Sequence, residues 1–185
     1  DDDGDIDLYV TNDGHVSGPE ILFRNNDDGT FDNVTDKAGI NSTNKSWTAA
    51  WGDYDNDGDF DLYVPSIGGR RNQLYRNNGD GTFKEISKAS GIKHEGDYYP
   101  YAVFGDYDND GYLDLYITHH SLSGARADIM YHNNGDGTFE DLTTKVGLEH
   151  FIASAEPVFF DYDNDGDLDI YIPHFFGANI LYRNN

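Results

Sequence analysis

The chain has 185 residues, and 35 acidic against 12 basic side chains give it a formal charge of −23 and a pI near 4.2. That balance excludes a general nucleic-acid binder, because nothing supplies a basic phosphate-binding stripe. There is no cysteine, so disulfides are not the staples of the fold, and no stretch reads as a membrane-spanning helix.

In chain order, the sequence opens with DDDGDID (Asp1–Asp7), followed by a short LYV strand. Next comes ILFRNNDDGTFDNVTDKAGI (Ile21–Ile40), whose central turn residues tolerate positive φ and predict a tight hairpin. The segment TAAWG then leads into DYDNDGDFD (Asp53–Asp61), and DLYV leads out of it. The hairpin pattern returns as QLYRNNGDGTFKEISKASGI (Gln73–Ile92). The acidic loop recurs as DYDNDGYLD (Asp106–Asp114), the hairpin as IMYHNNGDGTFEDLTTKVGL (Ile129–Leu148), and the loop once more as DYDNDGDLD (Asp161–Asp169). The chain closes on ILYRNN (Ile180–Asn185). Complete loops therefore start at 53, 106 and 161, in phase with a second motif, with repeats approximately over 1–46, 47–99, 100–154 and 155–185.

The spacing within the loop points to calcium. Positions 1, 3, 5 and 9 are Asp in every complete copy: Asp53, Asp55, Asp57 and Asp61; Asp106, Asp108, Asp110 and Asp114; Asp161, Asp163, Asp165 and Asp169. Glycine at position 6 permits the sharp turn that brings these oxygens together. Ca²⁺ takes about 6–8 oxygen ligands at ~2.3–2.6 Å in flexible loops, whereas Mg²⁺ demands stricter octahedral geometry. Position 7 varies (Asp59, Tyr112, Asp167), as expected where only a backbone carbonyl binds. The opening copy supplies Asp1, Asp3, Asp5 and Asp7 of a truncated site, so three complete Ca²⁺ sites and one partial site are expected. Position 12 holds Val64, Ile117 and Ile172, not the bidentate Glu of an EF-hand, and the following residues read as strand. The loop is therefore predicted at a β-hairpin.

Each unit supplies four strands: one into the loop, one out of it, LYRNN, and GTF with the residues after it. TDKAGI-like segments allow a single helical turn. Four short antiparallel strands per repeat predict an all-β chain of β-propeller blades, about three and a half of them, over residues 1–185. A β-solenoid competes, but its repeats are usually shorter. The paired motifs GDYDNDGDFDLYV (Gly52–Val64) and LYRNNGDGTF (Leu74–Phe83) resemble the FG-GAP/VCBS repeat family, and within it the propeller part of ASPIC/UnbV and cartilage-acidic-protein-like chains. The resemblance covers essentially the whole chain and implies a calcium-bearing propeller similar in outline to the integrin α-subunit head. The FG element appears at Phe104-Gly105, with Trp51-Gly52 and Phe159-Phe160 in its place elsewhere. No GAP element and no ASPIC/UnbV C-terminal module is found. Because both ends cut through repeats, the chain reads as an excerpt of a larger propeller.

Calcium loops and NGDG hairpins are expected at one face, and the variable connections at the other. A protein or glycan partner would meet the second face, where Lys45, Trp47, Arg70, Arg71, His94, Tyr98, Tyr99, Tyr101, His119, His120, Arg126, His150 and His174 lie. Asn33, Asn41 and Asn44 head glycosylation sequons that would serve in a secretory pathway. Every repeated carboxylate is read as part of a metal loop, and no nucleophile–base constellation appears. The expectation is a non-catalytic calcium-binding module for adhesion, assembly or ligand binding, in an extracellular, cell-surface or periplasmic setting. Two rivals remain: a propeller-based polysaccharide lyase or hydrolase using His119, His174, Tyr98 or Arg70, and a subunit of a self-assembling extracellular fibre.

Overall fold

A computed structural model describes residues 3–14, 18–40, 42, 44–68, 70–92, 100–119, 127–149 and 151–185. Among these residues four antiparallel sheets follow one another along the chain. The first holds β1 (Leu8–Val10), β2 (Ile21–Asn25) and β3 (Phe31–Asn33); the second, after the short helix α1 (Thr35–Ala38), holds β4 (Ala50–Gly52), β5 (Asp61–Val64), β6 (Gln73–Asn77) and β7 (Phe83–Glu85). The third is β8 (Ala102–Gly105), β9 (Asp114–Ile117), β10 (Ile129–Asn133) and β11 (Phe139–Asp141). The last is β12 (Val158–Phe160), β13 (Asp169–Ile172) and β14 (Ile180–Tyr182). Consecutive strands pair as neighbours in every sheet. This is the meander of a propeller blade, and the number of sheets fits about three and a half blades. TDKAGI forms the single helical turn α1, closed by Gly39 at φ 77°.

The cores lie between blades. All four residues of β5 and of β9 are buried, because a neighbouring blade covers each face of these strands. Side chains alternate along a strand, so Leu62 and Val64 pack with Tyr9 and Leu22 of the first blade. Tyr63 points the other way, into a cluster with Leu115, Ile117 and Tyr131 of the third. Tyr116 and Met130 in turn meet Ile170 and Ile172 of the fourth. The loop-exit strands are therefore apolar without polar alternation. On the outward side of the fourth blade Val158, Phe160 and Leu181 stay exposed.

The glycine of the WG and FG elements has a packing reason. Gly52 pairs with Asp61 and Gly105 with Asp114, on the side facing the next blade. A Cβ on Gly105 would lie 2.5 Å from the Phe159 ring, and one on Gly52 would lie 2.9 Å from the Phe104 ring. Each glycine thus receives the aromatic of the following blade. Gly105→Ala should destabilise the protein by about 1–3 kcal/mol through forced displacement of that ring. Urea unfolding in excess Ca²⁺ measures this, and an unchanged midpoint would contradict the interlock.

Candidate functional site

The Asp-rich loops fold around their own first carboxylate. Asp53 accepts the N–H groups of Asp57 and Gly58, each at 3.1 Å, and Asp106 and Asp161 do the same with Asp110 and Gly111 and with Asp165 and Gly166. The winding needs positive φ at position 4, where Asn56, Asn109 and Asn164 sit at 57°, 58° and 61°. Asn tolerates this region better than most residues. At position 9 Asp61 is fully buried and accepts from two backbone groups, Tyr54 N at 3.1 Å and Asn77 N at 2.8 Å. Asp114 and Asp169 repeat this with Tyr107 and Asn133, and with Tyr162 and Asn184. One carboxylate so ties the loop entry to the start of the hairpin.

The expected ligands converge. Oxygens of Asp53, Asp55 and Asp57 lie within 4.8 Å of one another, as do those of Asp106, Asp108 and Asp114, and of Asp161, Asp163 and Asp169. Asp110, Asp165 and Asp57 each accept the N–H of the position-7 residue (2.9, 3.1 and 3.1 Å). The position-7 side chains are engaged elsewhere. Asp59 lies against the Gly79 turn, the Tyr112 ring against Gly135, and Asp167 accepts Asn109 Nδ2 at 2.7 Å. That leaves their backbone carbonyls for an ion. In the opening copy Asp3 accepts Asp5 N at 3.1 Å and Asp7 accepts Asn25 N at 2.9 Å, matching position 9; Asp1 lies outside the described residues.

The donor set fits a hard divalent cation. Asp55 Oδ1 and Asp163 Oδ1 are buried and without a hydrogen-bond partner, a costly state for a carboxylate oxygen unless something cationic joins it. Burial lifts the Asp61 carboxyl to about 7 and that of Asp114 to about 6, against backbone hydrogen bonds that pull both down. Asp55 is raised by burial and then by its neighbour Asp57.

Two features escaped the sequence reading. The loops are stitched together: Asn56 Nδ2 donates to the Gly111 carbonyl at 2.8 Å, Asn133 Nδ2 to that of Tyr54 at 2.7 Å, and Asn184 Nδ2 to that of Tyr107 at 2.5 Å. The residue before the hairpin Asn pair also leans over each complete loop. Arg76 lies 3.9 Å from Asp55, and Arg183 lies 2.9 Å from Asp163 and 3.2 Å from Asp165. In the third repeat His132 takes this place, with Nδ1 3.0 Å from Asp114 and 3.4 Å from Asp108. Aligning LYRNN with MYHNN is the signal that would have found it.

On the variable connections Lys45, Trp47, Arg70 and Arg71 are exposed, while Tyr101 and His174 are half-buried. His119 is a correction. It is 1 % exposed, its N–H donates to Asp128 at 2.7 Å, and its carbonyl accepts Ser154 N, so it belongs to the blade interface and is not open to a partner. His94, Tyr98, Tyr99, His120, Arg126 and His150 lie outside the described residues, as does Asn41. Asn33 is exposed and its Oδ1 accepts the Thr35 N–H at 3.1 Å, whereas Asn44 Nδ2 donates to the Arg71 carbonyl at 3.0 Å and Gln73 Oε1 at 3.1 Å. Glu20 and Asp128 are buried acids that belong to no metal loop.

Among known proteins, the chain is 25% identical over 181 residues to Cartilage acidic protein 1 of Homo sapiens, covering 91% of this chain and 26% of that protein. It is 24% identical to the Mus musculus protein of that name, with the same coverages. The Xenopus tropicalis protein is 28% identical over 153 residues, covering 82% and 22%. The chain thus spans about a quarter of the length of these curated relatives. A solved lectin chain from Agrocybe aegerita, described for specific recognition of non-reducing terminal N-acetylglucosamine, superposes with a TM-score of 0.48 at 18% identity, covering 96% of this chain and 51% of that one. No helix among the described residues is long and apolar enough to cross a membrane. The model of the FG-GAP-like repeat matches residues 1–64, 66–117 and 121–172, and the chain belongs to that family.

Proposed function

We propose that the chain is a non-catalytic calcium-binding propeller module, acting outside the cytoplasm, that presents its variable connections to a protein or glycan partner in adhesion or assembly. The observation that carries this reading is the convergence of loop carboxylate oxygens at the same place in three successive blades, with a buried oxygen lacking a partner at Asp55 in the second loop and at Asp163 in the fourth. The second loop would hold the ion with Asp53, Asp55, Asp57, Asp61 and the Asp59 carbonyl. The third would use Asp106, Asp108, Asp110, Asp114 and the Tyr112 carbonyl, and the fourth Asp161, Asp163, Asp165, Asp169 and the Asp167 carbonyl. When bound, Ca²⁺ supplies positive charge that cancels carboxylate repulsion and joins both ends of the loop. Loops of modest affinity fill where calcium is abundant, with extracellular modules at Kd about 10⁻⁴–10⁻³ M. The relatives named for cartilage agree with an extracellular setting. The burial of His119 counts against the lyase or hydrolase reading.

Calorimetric titration of the chelator-treated protein tests the proposal. Each complete loop should take one Ca²⁺, and Asp163→Ala should remove one equivalent while leaving the other sites. Absence of calcium heat, or an unchanged count in the variant, would overturn it.

A further inference from the structure

The third loop differs from its neighbours in a group that leans over it from the adjacent strand. Arg76, opposite Lys84 in the β6–β7 pair, and His132, opposite Glu140 in the β10–β11 pair, occupy the same register. A guanidinium is always cationic and cannot ligate a metal. An imidazole nitrogen can, and it favours zinc-like ions over calcium. His132 Nδ1 lies 3.4 Å from Asp108 Oδ2 and 3.0 Å from Asp114 Oδ1. Ligands at ~2.0–2.1 Å around a tetrahedral ion stand about 3.4 Å apart, so these separations need little adjustment. The other ring nitrogen, Nε2, faces Asp110 Oδ2 at 4.0 Å. Ligand atoms of His132, Asp108 and Asp110 lie within 4.8 Å of one another, so Asp110 stands close by as a further oxygen. The Tyr107 ring meets the imidazole edge-on, with centroids 6.3 Å apart, and holds it further.

We infer that the third loop forms, with His132, Asp108 and Asp114, a mixed nitrogen–oxygen site for a divalent transition-metal ion of the zinc type, distinct from the all-oxygen sites of the second and fourth loops. The inference rests on the reading that the loops bind divalent cations: the third loop takes Ca²⁺ when calcium alone is offered and prefers the transition-metal ion when both are present.

The test uses tag-free full chain, Co²⁺ as a coloured probe for Zn²⁺, and the variants His132→Arg and His132→Ala. His132→Arg reproduces the residue of the neighbouring repeats, so it keeps the fold and the calcium loops. The wild type should bind one equivalent of Co²⁺ with visible absorption, displaced by one equivalent of Zn²⁺. Both variants should lose at least about tenfold in affinity for it, with calcium binding at the second and fourth loops retained. Equal Co²⁺ spectra and affinities in wild type and His132→Arg would overturn the inference. Loss of all calcium binding beside intact, His132-dependent Co²⁺ binding would instead reject the calcium reading and leave this one standing.

Discussion

Chelation with EDTA should lower the melting temperature by roughly 8–32 °C relative to the protein in excess Ca²⁺, and added calcium should restore it. The size follows from linkage. At ligand concentrations about 10–100 times Kd, each site contributes about 1.4–2.7 kcal/mol, so three sites give about 4–8 kcal/mol. For a chain of this length each kcal/mol moves the transition by about 2–4 °C. The structural reason is that oxygens of Asp161, Asp163 and Asp169 crowd within 4.8 Å, and Asp163 Oδ1 is buried without a partner. Because Asn56 and Asn133 join adjacent loops, stripping one site should also loosen its neighbour. Superimposable melting curves with and without EDTA would reject a structural role for calcium.

The stripped protein should also respond to pH in a direction opposite to that of ordinary salt-bridged carboxylates. Burial raises Asp61 to about 7 and Asp114 to about 6 from an ordinary value of 3.8. Between about pH 4 and 7 the folded chain therefore holds more protons than the unfolded one, and stability falls as pH rises through that window. Asp28, Asp80 and Asp136 are shifted down, by the hydroxyls of Thr30, Thr82 and Thr138, so their effect lies below it. In EDTA the melting temperature should be higher near about pH 5.5 than near about pH 8. The increment from calcium should be largest at the alkaline end, where no proton competes for the oxygens. A stripped protein that gains stability on going to alkaline pH would contradict the burial of these two carboxylates.

The repeating parts of the molecule were legible because they are local. A carboxylate at position 9, a turn at Asn-Gly-Asp-Gly and an apolar exit strand each follow from a few adjacent residues, and their recurrence removes the ambiguity of any single copy. What stayed hidden joins residues from different repeats. Gly52 and Gly105 were visible as motif letters, but their reason is an aromatic ring about fifty residues further along the chain. Asn56 looked like a turn residue, and its side chain proves to bridge to the Gly111 carbonyl. His119 sat in a variable connection and read as exposed, whereas Ser154 of the following blade pairs with its backbone. The same blindness concealed Glu20 and Asp128, because Glu20, Asn72, Asp128 and Asn179 stand in equivalent places without sharing a residue type.

Asp128→Ala should destabilise the protein by about 3–4 kcal/mol with calcium saturating, while Asp128→Asn should cost about 1 kcal/mol or less. Asp128 is fully buried before β10 and accepts His119 N at 2.7 Å, Tyr116 Oη at 3.2 Å and, from the next blade, Ser154 Oγ at 2.8 Å. Glu20 does the same work in the first blade interface, accepting Tyr9 Oη at 2.6 Å and the Ser46 hydroxyl. Alanine leaves several buried donors unmet, each worth about 1–3 kcal/mol. Asparagine has a precedent in the fourth blade: Asn179 Oδ1 accepts His174 N at 3.0 Å while its Nδ2 donates to Tyr171 Oη. In Asp128→Asn the amide oxygen would keep His119, the amide N–H groups would donate to Tyr116, and Ser154 Oγ would fall back on the Ile152 carbonyl at 3.1 Å. Calcium stoichiometry should be the same in both, because Asp128 belongs to none of the converging loop carboxylate sets. Equal stability of Asp128→Ala and wild type in urea would show that the blades are held by their apolar clusters alone.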